Sequence, residues 1–363
     1  MKRTTAITII YVYCFAGCQS PSTESNDIIQ VGTSASDETP SSAPQASACQ
    51  PVDCTQCADE ETMERDVPPV AVEDTTPSTP PPRALNLATP DDNLYAWRKT
   101  RASLDPEEDV VFYWSGYIYN LVAKDPADYA RTGDIDFASP IFKFEGFNVA
   151  RFAESGPGEY MMLSREISVY RDPRTNAIID CWTNTLRSDP LEVRPMHVTN
   201  DPVNFGVGTM NYIELGDRVS FFSDILLAYR SPLAGQDVYD NFSASDVYQS
   251  NELFNFIVSK KDLENPSIKS ASVEISWTRM GQYLPWMQMG DQAGHLIYHV
   301  RGYKVPNGVD GLPESLREWT ENNAGTQFLR SPQEVPWDYA PNATTWRVFR
   351  AKLDTESYDP QCD

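Results

Sequence analysis

Runs of β-branched and aromatic residues recur from residue 109 onward, and short turn-forming segments separate them. Such runs favour β-strands, while Gly, Pro, Asn and Asp between them favour turns. The clearest run, residues 110–123, contains Gly116, which suggests a bulge or bend. About ten strands are predicted but only two convincing helices, one from Thr89-Pro90 and one over residues 313–321. Since helices do not alternate with the strands, the pattern favours an antiparallel arrangement.

Several of the predicted strands are apolar on both of their alternating faces, most clearly residues 110–121. One face could pack on a helix or a second sheet while the other lines a cavity. A closed or nearly closed barrel satisfies both demands and also removes exposed strand edges. We therefore predict a mainly β fold, an antiparallel β-barrel of roughly ten strands with a few short helices, and expect it to be of the lipocalin-like, calycin kind.

The first 17 residues have the pattern of a secretory signal peptide, in which a basic pair precedes the apolar residues 6–15. Ten apolar residues are too few to span a bilayer. The segment ends in FAGC, which resembles the lipobox of bacterial lipoproteins, although Phe15 stands where Leu is usual. The resemblance implies a lipidated Cys18, and Gln19 after it implies the outer membrane of a bacterial cell envelope. A plain secretory signal with an incidental cysteine is the alternative.

Composition divides the rest of the chain. Residues 18–85 are rich in Pro, Ser, Thr and acids, so they cannot bury enough apolar surface to fold and are predicted to be a disordered tether. Residues 86–355 form a single predicted β-barrel domain, and residues 356–363 remain as a tail. The net charge of −23 argues against a nucleic-acid partner, because phosphate binding needs a basic surface. The expected partners are the membrane, through the lipid anchor, and a hydrophobic small molecule.

The cysteines do not point to a metal site. Cys54 and Cys57 have the CxxC spacing of zinc ligands, with Cys49 close by, but no fourth ligand lies near them. A disulfide within the tether or a bridge to another chain is the favoured alternative. Cys181 and Cys362 are the remaining candidate thiols, and five thiols cannot all pair within one chain.

His295 and His299 also fail to make a metal site, although their spacing would suit a helix. Residues 274–304 favour a strand, a wide turn and a second strand, and both histidines lie on that second strand. Four residues of strand span about 13 Å, so the two rings share a face but are too far apart for one ion. No metal or cofactor is predicted.

A set of local motifs resembles a known family. The motifs are Arg-Glu-x-x-x-Tyr-x-Asp-Pro-x-Thr from Arg165, Trp-x-Asn from Trp182 and Met-Gly-Asp-x-x-Gly-His-Leu-x-Tyr-His from Met289. In this order they are similar to the bacterial and fungal proteins grouped as domain-of-unknown-function family 1838. The resemblance spans about residues 93–353, with Thr185 where the family often has Pro. It implies no activity.

Candidate site residues come from polar and aromatic side chains within the apolar strands. Acid–base catalysis could use His295 or His299 with Glu166 or Glu252, because buried carboxyls and histidines can exchange protons near neutral pH. For each glutamate, a structural ion pair with an arginine is the alternative, and for the Met and Trp side chains it is core packing. The candidate ligand-binding residues are Trp277, Trp286, Met287, Met289, Glu145, Arg151 and Asn204.

Three functions remain open on this basis. The nucleophile elbow, the phosphate loop and the dinucleotide fingerprint are all missing from the sequence, which favours binding over these chemistries. Our first hypothesis is therefore a cell-envelope lipoprotein that binds an apolar or amphipathic small molecule inside a β-barrel. The alternatives are an enzyme for acid–base isomerisation, hydration or cyclisation of such a molecule, and a purely structural surface protein with a filled core.

Overall fold

The computed structural model describes residues 81–122, 139–243, 245–334 and 342–362. The predicted signal peptide, Cys18 and the predicted tether as far as residue 80 lie outside the described residues, as does the CxxC pair. Among the helices of the described ranges, none combines the length and apolar character that crossing a bilayer requires.

The described part of the chain is built mainly from antiparallel strands. Ten of them form one sheet, and two more, β4 and β5, form a separate small sheet. The strands are β1 (Val110–Leu121), β2 (Phe142–Gly156), β3 (Glu159–Arg171), β4 (Trp182–Asn184), β5 (Leu191–Val193), β6 (Val198–Asn200), β7 (Phe205–Val207), β8 (Asn211–Leu215), β9 (Arg218–Arg230), β10 (Val247–Ser259), β11 (Val273–Gly281) and β12 (His295–Lys304).

Four α-helices accompany the strands in the described ranges, and both predicted helices are among them. Thr89 has the extended backbone of an N-cap and Pro90 is the first helical residue, as the sequence pattern indicated. Two helices were not predicted, although the last of them has a typical start, in which the Thr344 side chain accepts a hydrogen bond from the Arg347 N–H. The helices are α1 (Pro90–Arg101), α2 (Lys260–Glu264), α3 (Glu314–Asn323) and α4 (Thr345–Asp354).

The order of the sheet is β6-β3-β2-β1-β12-β11-β10-β9-β8, with β7 also paired to β3. The mainly β, antiparallel, ten-stranded prediction is confirmed. Among the described strands, β6 and β7 at one end of the sheet do not pair with β8 at the other, so a closed barrel is not found. The sheet is nevertheless strongly curled, because β3 and β10, with four strands between them, line the same cavity.

The concave face of the sheet, called the inner face here, holds the larger hydrophobic core. The opposite, outer face is covered over β1–β3 by α3 and its neighbours, where Phe147 and Ile167 belong to a second cluster with Leu316 and Phe328. These strands are therefore covered on both faces, and eleven of the fifteen residues of β2 are buried.

Two helices lie at opposite ends of the inner face. Trp97 of α1 contacts Phe221 and Phe256, with ring centroids 5.7 and 5.1 Å away. Trp346 of α4 contacts Tyr248, with centroids 4.6 Å apart. Since Tyr248 and Phe256 are eight residues apart on β10, the two helices are separated by about 26 Å of strand.

The glycines inside β1 and β2 mark close contacts between strands. Cross-strand pairing continues without a shift past Gly116 and Gly146, so the bulge suggested at Gly116 is wrong. A Cβ atom at Gly116 would lie 2.2 Å from the carbonyl oxygen of His299. The register shift that the structure does contain lies further along, between Glu154 and Gly156 of β2.

The last described residues are bound to the domain. Cys362 forms a disulfide with Cys181, which lies just before β4. The Tyr358 hydroxyl donates a hydrogen bond to the Arg194 carbonyl, and the Arg194 N–H donates to the Pro360 carbonyl at 3.0 Å. Residues 356–362, predicted as a tail, therefore pack against the segment around β5.

Candidate functional site

A cavity with two lobes lies on the inner face of the sheet. Lobe A, next to α1, has a volume of about 260 Å³. Lobe B, next to α4, has a volume of about 220 Å³. The two lobes share wall residues from facing strands, which are Glu166, Val203, Phe205, Ile225, Glu252 and Trp277.

Aromatic side chains supply most of the walls. In lobe A, Phe254 stacks on Trp277 with ring centroids 5.3 Å apart and planes only 4° from parallel. Lobe B adds phenol groups, because several tyrosines end there. The aromatic residues of lobe A are Trp97, Phe112, Trp114, Phe152, Phe205, Phe254, Phe256 and Trp277, and those found in lobe B alone are Phe144, Tyr170, Tyr229, Tyr248, Tyr298 and Trp346.

The two predicted catalytic glutamates meet at the junction of the lobes. Glu166 lies near the middle of β3 and Glu252 near the middle of β10, each on the inner face, where alternate residues point. Burial raises the pKa of Glu166 to about 7, and the negative charge of Glu252 adds to this rise. Burial also raises the pKa of Glu252, while Arg279 opposes that rise.

The two carboxyls have different partners. Glu252 pairs with Arg279, whose Nε lies 3.5 Å from Oε1 of the glutamate. Arg279 also donates a hydrogen bond from Nη2 to the Tyr248 hydroxyl at 3.0 Å. Glu166 has a neutral partner, since Nδ2 of Asn200 donates to its Oε2 at 3.3 Å. A full positive charge beside one carboxyl and an amide beside the other makes the two acids unequal.

A second arginine enters from the α1 end. Arg101 lines lobe A and donates a hydrogen bond from Nη2 to Oδ1 of Asn148 at 2.8 Å. Burial lowers the pKa of Arg101 to about 10, which leaves it charged at neutral pH, and the charge of Glu166 opposes this shift. Each lobe therefore contains one arginine, and the two glutamates lie where the lobes meet.

Four hydrogen-bond donors of the wall residues have no acceptor among the described residues. They are Nε1 of Trp114, Trp277 and Trp346 and Nη1 of Arg101. Trp114 and Trp277 are 7% and 5% exposed, so bulk solvent does not satisfy their indole N–H groups. Buried donors without partners are unfavourable, so an oxygen atom of a bound molecule or of water would be stabilised here.

This combination suits both recognition and proton transfer. Aromatic walls favour an apolar molecule, and the few polar groups can fix its orientation. A carboxyl with a pKa near 7 carries a proton for part of the time at neutral pH, while an ionised carboxyl next to it can accept one.

The predicted histidines are not part of the cavity. His295 and His299 do share a face of β12, but it is the outer face, and both are exposed. The inner face of this strand presents Leu296, Tyr298 and Val300 instead, because successive residues point to opposite sides. The structure therefore does not bring either histidine together with Glu166 or Glu252. The third histidine, His197, lies elsewhere, and burial lowers its pKa to about 4.

Three of the predicted ligand-binding residues have structural partners and do not line either lobe. Glu145 lies on the outer face in an ion pair with Arg171 and accepts a hydrogen bond from the Tyr113 hydroxyl. Arg151 donates to backbone carbonyls, among them that of Pro332 at 3.1 Å. Asn204 accepts a hydrogen bond from the Ser164 N–H at 3.0 Å, which holds the chain before β7 against β3. The alternative of structural pairing describes Glu145 better than ligand binding does.

Of the tryptophan and methionine candidates, one lines the cavity and three do not. Trp277 lines both lobes. Trp286 and Met287 are fully buried and Met289 is 3% exposed, and none of the three lines the two lobes. The Met287 carbonyl and the Met289 sulfur both contact Nδ2 of Asn184, at 2.6 and 3.2 Å. The turn that holds Trp286, Met287 and Met289 is therefore part of the packed core, which is the alternative considered from the sequence.

Other residues of the cavity were missed. Arg101 and Trp97 come from α1, and no local pattern indicates that this helix faces the cavity. Arg279 was also missed, although it lies two residues after Trp277 and therefore on the same face of β11 as that predicted residue. Asn148 lies between Phe147 and Val149, and a polar residue between two apolar ones is the one signal in the sequence that could have identified it. For Asn200 the sequence has no such local signal.

Comparison with known proteins leaves the function open but assigns the family. A search of the curated proteins finds no match to this chain. The family model described as "Protein of unknown function (DUF1838)" matches residues 107–353, which confirms the resemblance in the strand motifs. Since this match covers more than half of the sequence, the chain belongs to the DUF1838 family.

Proposed function

We propose that this chain is a cell-envelope protein that binds an apolar or amphipathic small molecule in the cavity between β3 and β10. The observation that carries the proposal is the cavity itself, which is lined by aromatic rings and has charged groups only at defined points. Sites for small molecules are typically concave, mostly apolar and equipped with a few polar groups. A purely structural protein would gain nothing from leaving such a space unfilled.

We further propose that the sheet acts as an open, lipocalin-like barrel. Strands β7 and β8 lie at its two ends, and only residues 208–210 connect them. Val207 and Asn211 are thus four Cα steps apart, a distance of at most about 15 Å. Such a short connection supports a sheet whose two ends lie close together. Residues 203–210 would then fill the gap between β3 and β9.

The size of the cavity limits the ligand. A cavity of about 150 Å³ holds benzene, so lobe A, at about 260 Å³, has room for a bicyclic molecule. A longer ligand would extend past Glu166 and Glu252 into lobe B. The tyrosine hydroxyls and Arg279 of that lobe suit a polar end group, which favours an amphipathic molecule.

The proposed location is the bacterial cell envelope, with the domain anchored to the outer membrane through a lipid on Cys18. The lipobox-like motif supports the anchor. The disulfide between Cys181 and Cys362 supports an oxidising compartment, because disulfides are rare in the cytosol. Incorporation of labelled palmitate in a bacterial host is the test, and we expect Cys18→Ala to abolish it.

Ligand binding can be tested with N-phenyl-1-naphthylamine, a neutral bicyclic dye that fluoresces in apolar sites. Ile225 lines both lobes, so Ile225→Trp should fill the junction and weaken dye binding at least tenfold. The matched control is Leu226→Trp on the opposite face of the same strand, where the side chain is 72% exposed. We expect the control variant to bind as the unchanged protein does. Equal binding by both variants would place the dye outside the cavity and contradict the proposal.

A further inference from the structure

Glu166 and Glu252 belong to strands that are far apart in the sheet but adjacent across the cavity. Each lines both lobes, and the charge of Glu252 acts on Glu166. Paired carboxyls inside an apolar cavity are costly, because burial disfavours the charged form of each. Packing alone does not call for such a pair, since apolar residues of the same size would fill the same space more favourably.

The partners of the two carboxyls assign them different roles. Glu252 lies beside the positive charge of Arg279, which stabilises its ionised form. Glu166 has the amide of Asn200 as its hydrogen-bond partner, and its pKa near 7 leaves it protonated for part of the time at neutral pH. One carboxylate and one carboxylic acid are thus available at the same junction, the former as a base and the latter as an acid.

The unpartnered donors indicate where an oxygen atom of the ligand would lie. Nε1 of Trp277 belongs to a residue in the wall shared by both lobes, and Nη1 of Arg101 belongs to a residue in the wall of lobe A. A carbonyl oxygen in lobe A could accept from these groups and from the protonated Glu166. Donors of this kind stabilise the negative charge that develops on oxygen when a neighbouring carbon loses a proton.

We infer that the Glu166–Glu252 pair catalyses proton transfer on a bound carbonyl compound, converting it to its enol and permitting isomerisation by return of the proton to another carbon. The inference deepens the proposed function, because it requires that the ligand enters the cavity. The substrate class is an apolar, enolisable ketone or unsaturated ketone of about two rings.

The proposed enolisation conserves atoms and charge with the two glutamates alone. The Glu252 carboxylate takes a proton from the carbon next to the carbonyl, and the C–H electron pair forms the new C=C bond. The carbonyl π pair moves onto oxygen, which takes the proton of the Glu166 carboxyl. The products are a neutral enol, a protonated Glu252 and an ionised Glu166, so the total charge is unchanged. Return of a proton to the same or another carbon reverses the roles, and no oxidant or further reactant is needed.

The test uses 2-tetralone, a bicyclic ketone, in D₂O, with loss of its α-proton signals followed by NMR. We expect the unchanged protein to exchange these protons at least tenfold faster than the Glu252→Gln variant at equal concentration. Glu166→Gln should also slow the exchange at least tenfold. Glu318→Gln is the matched control, because this glutamate is exposed on α3, and it should exchange as fast as the unchanged protein.

Folding and binding are measured separately. Glu252→Gln leaves Arg279 without its charged partner, so Glu252→Asp serves as a second variant that keeps the charge but withdraws the carboxyl by one methylene. It too should lose at least tenfold in exchange rate. Displacement of N-phenyl-1-naphthylamine by 2-tetralone reports entry into the cavity and should be similar in all variants.

The outcomes separate the two proposals. If the dye does not bind to the unchanged protein, the proposed function fails and this inference fails with it. If the dye binds but 2-tetralone exchanges no faster with the unchanged protein than with Glu252→Gln, the inference alone is overturned, whether or not the ketone displaces the dye. The pH profile is a further check on Glu166, which is faced by Arg101, Asn200, Glu252 and Arg279. The part of the rate that depends on Glu252 should fall as the pH rises above about 7, because the acid loses its proton.

Discussion

Three glutamates within similar apolar strand patterns have different surroundings. Glu145 is buried on the outer face with Arg171 and the Tyr113 hydroxyl, a fully paired arrangement. Glu252 has one arginine, and Glu166 has an amide together with a neighbouring negative charge. The pKa of a carboxyl depends on this local set of charges and hydrogen bonds, so the same residue type in the same sequence pattern can be a structural ion or a proton donor.

The raised pKa of Glu166 predicts how stability depends on pH. A carboxyl whose pKa rises on folding stabilises the fold below its unfolded pKa, and this contribution is lost as the pH rises through the folded value. Between pH 5 and pH 8, the unchanged protein should therefore lose up to about 3 kcal/mol of unfolding free energy relative to Glu166→Gln. Denaturant unfolding at both pH values measures this, with Glu318→Gln as the control that should follow the unchanged protein. A constant difference between Glu166→Gln and the unchanged protein would show that Glu166 does not titrate in this range.

At the scale of single strands and helices, close contact between neighbouring strands explains why glycines occur inside them. Trp114 of β1 is paired across the sheet with Gly146 on β2 and with Gly302 on β12. A Cβ atom at Gly146 would lie 2.3 Å from the Ile167 carbonyl oxygen and 2.8 Å from Nε1 of Trp114. Glycine on both sides thus leaves room for a large indole group on the inner face of the sheet.

Gly146→Ala should destabilise the protein by at least about 2 kcal/mol, because the added methyl group overlaps backbone that cannot move freely. Gly206→Ala is the matched control, since a Cβ there meets nothing within 4 Å, and it should change stability by less than about 0.5 kcal/mol. Urea unfolding measures both variants. Equal stability of the two would mean that β2 can shift away from β3 at little cost.

A buried lysine joins α1 to the sheet. Nζ of Lys304, on β12, donates to the carbonyls of Lys99 and Ala102 at 2.9 Å each, at the carboxyl end of the helix. These carbonyls lack helical partners, so the Nζ donor helps to satisfy them, while burial lowers the pKa of Lys304. Lys304 in this way holds α1, which carries Trp97 and Arg101 of the cavity wall, in place.

Lys304→Met should destabilise the fold by about 2–4 kcal/mol, because it removes the two Nζ hydrogen bonds and leaves each carbonyl with one remaining donor, the Ala271 N–H for Lys99 and the Ser270 hydroxyl for Ala102. The exposed Lys261→Met is the matched control and should be nearly neutral. Thermal and urea unfolding measure both. If Lys304→Met is as stable as the control, the Ala271 N–H and the Ser270 hydroxyl satisfy these carbonyls without the lysine.

At the scale of the whole molecule, the disulfide joins the end of the described chain to a segment 181 residues earlier. Much of the sheet lies between the two cysteines, and so do α2, α3 and α4. Closing so large a loop restricts the unfolded chain far more than the folded one, which stabilises the folded state.

Replacing both cysteines with Cys181→Ala and Cys362→Ala should lower the unfolding free energy by up to about 5 kcal/mol, the entropic estimate for a loop of this length. Adding dithiothreitol should destabilise the unchanged protein to a similar degree and leave the double variant unaffected. Thermal unfolding with and without the reductant gives both comparisons. An effect of the reductant on the double variant would assign the loss to some other cause.

The sequence by itself determined the mainly β class, the antiparallel arrangement and both predicted helices. These features depend on alternation and turn residues within a few positions of each other, so they can be recognised locally. The family resemblance was also predictable, because its motifs are local.

Only the tertiary structure decided which candidates share a site. Glu166 and Glu252 were named together, but so were His295 and His299, and alternation alone does not say which face of a strand becomes the inner one. The curl of the sheet brings β3 next to β10 and turns the histidine face of β12 outward, and α1 adds Arg101 from a separate element. The cavity depends on contacts between residues far apart in the chain, and a local pattern contains no information about such contacts.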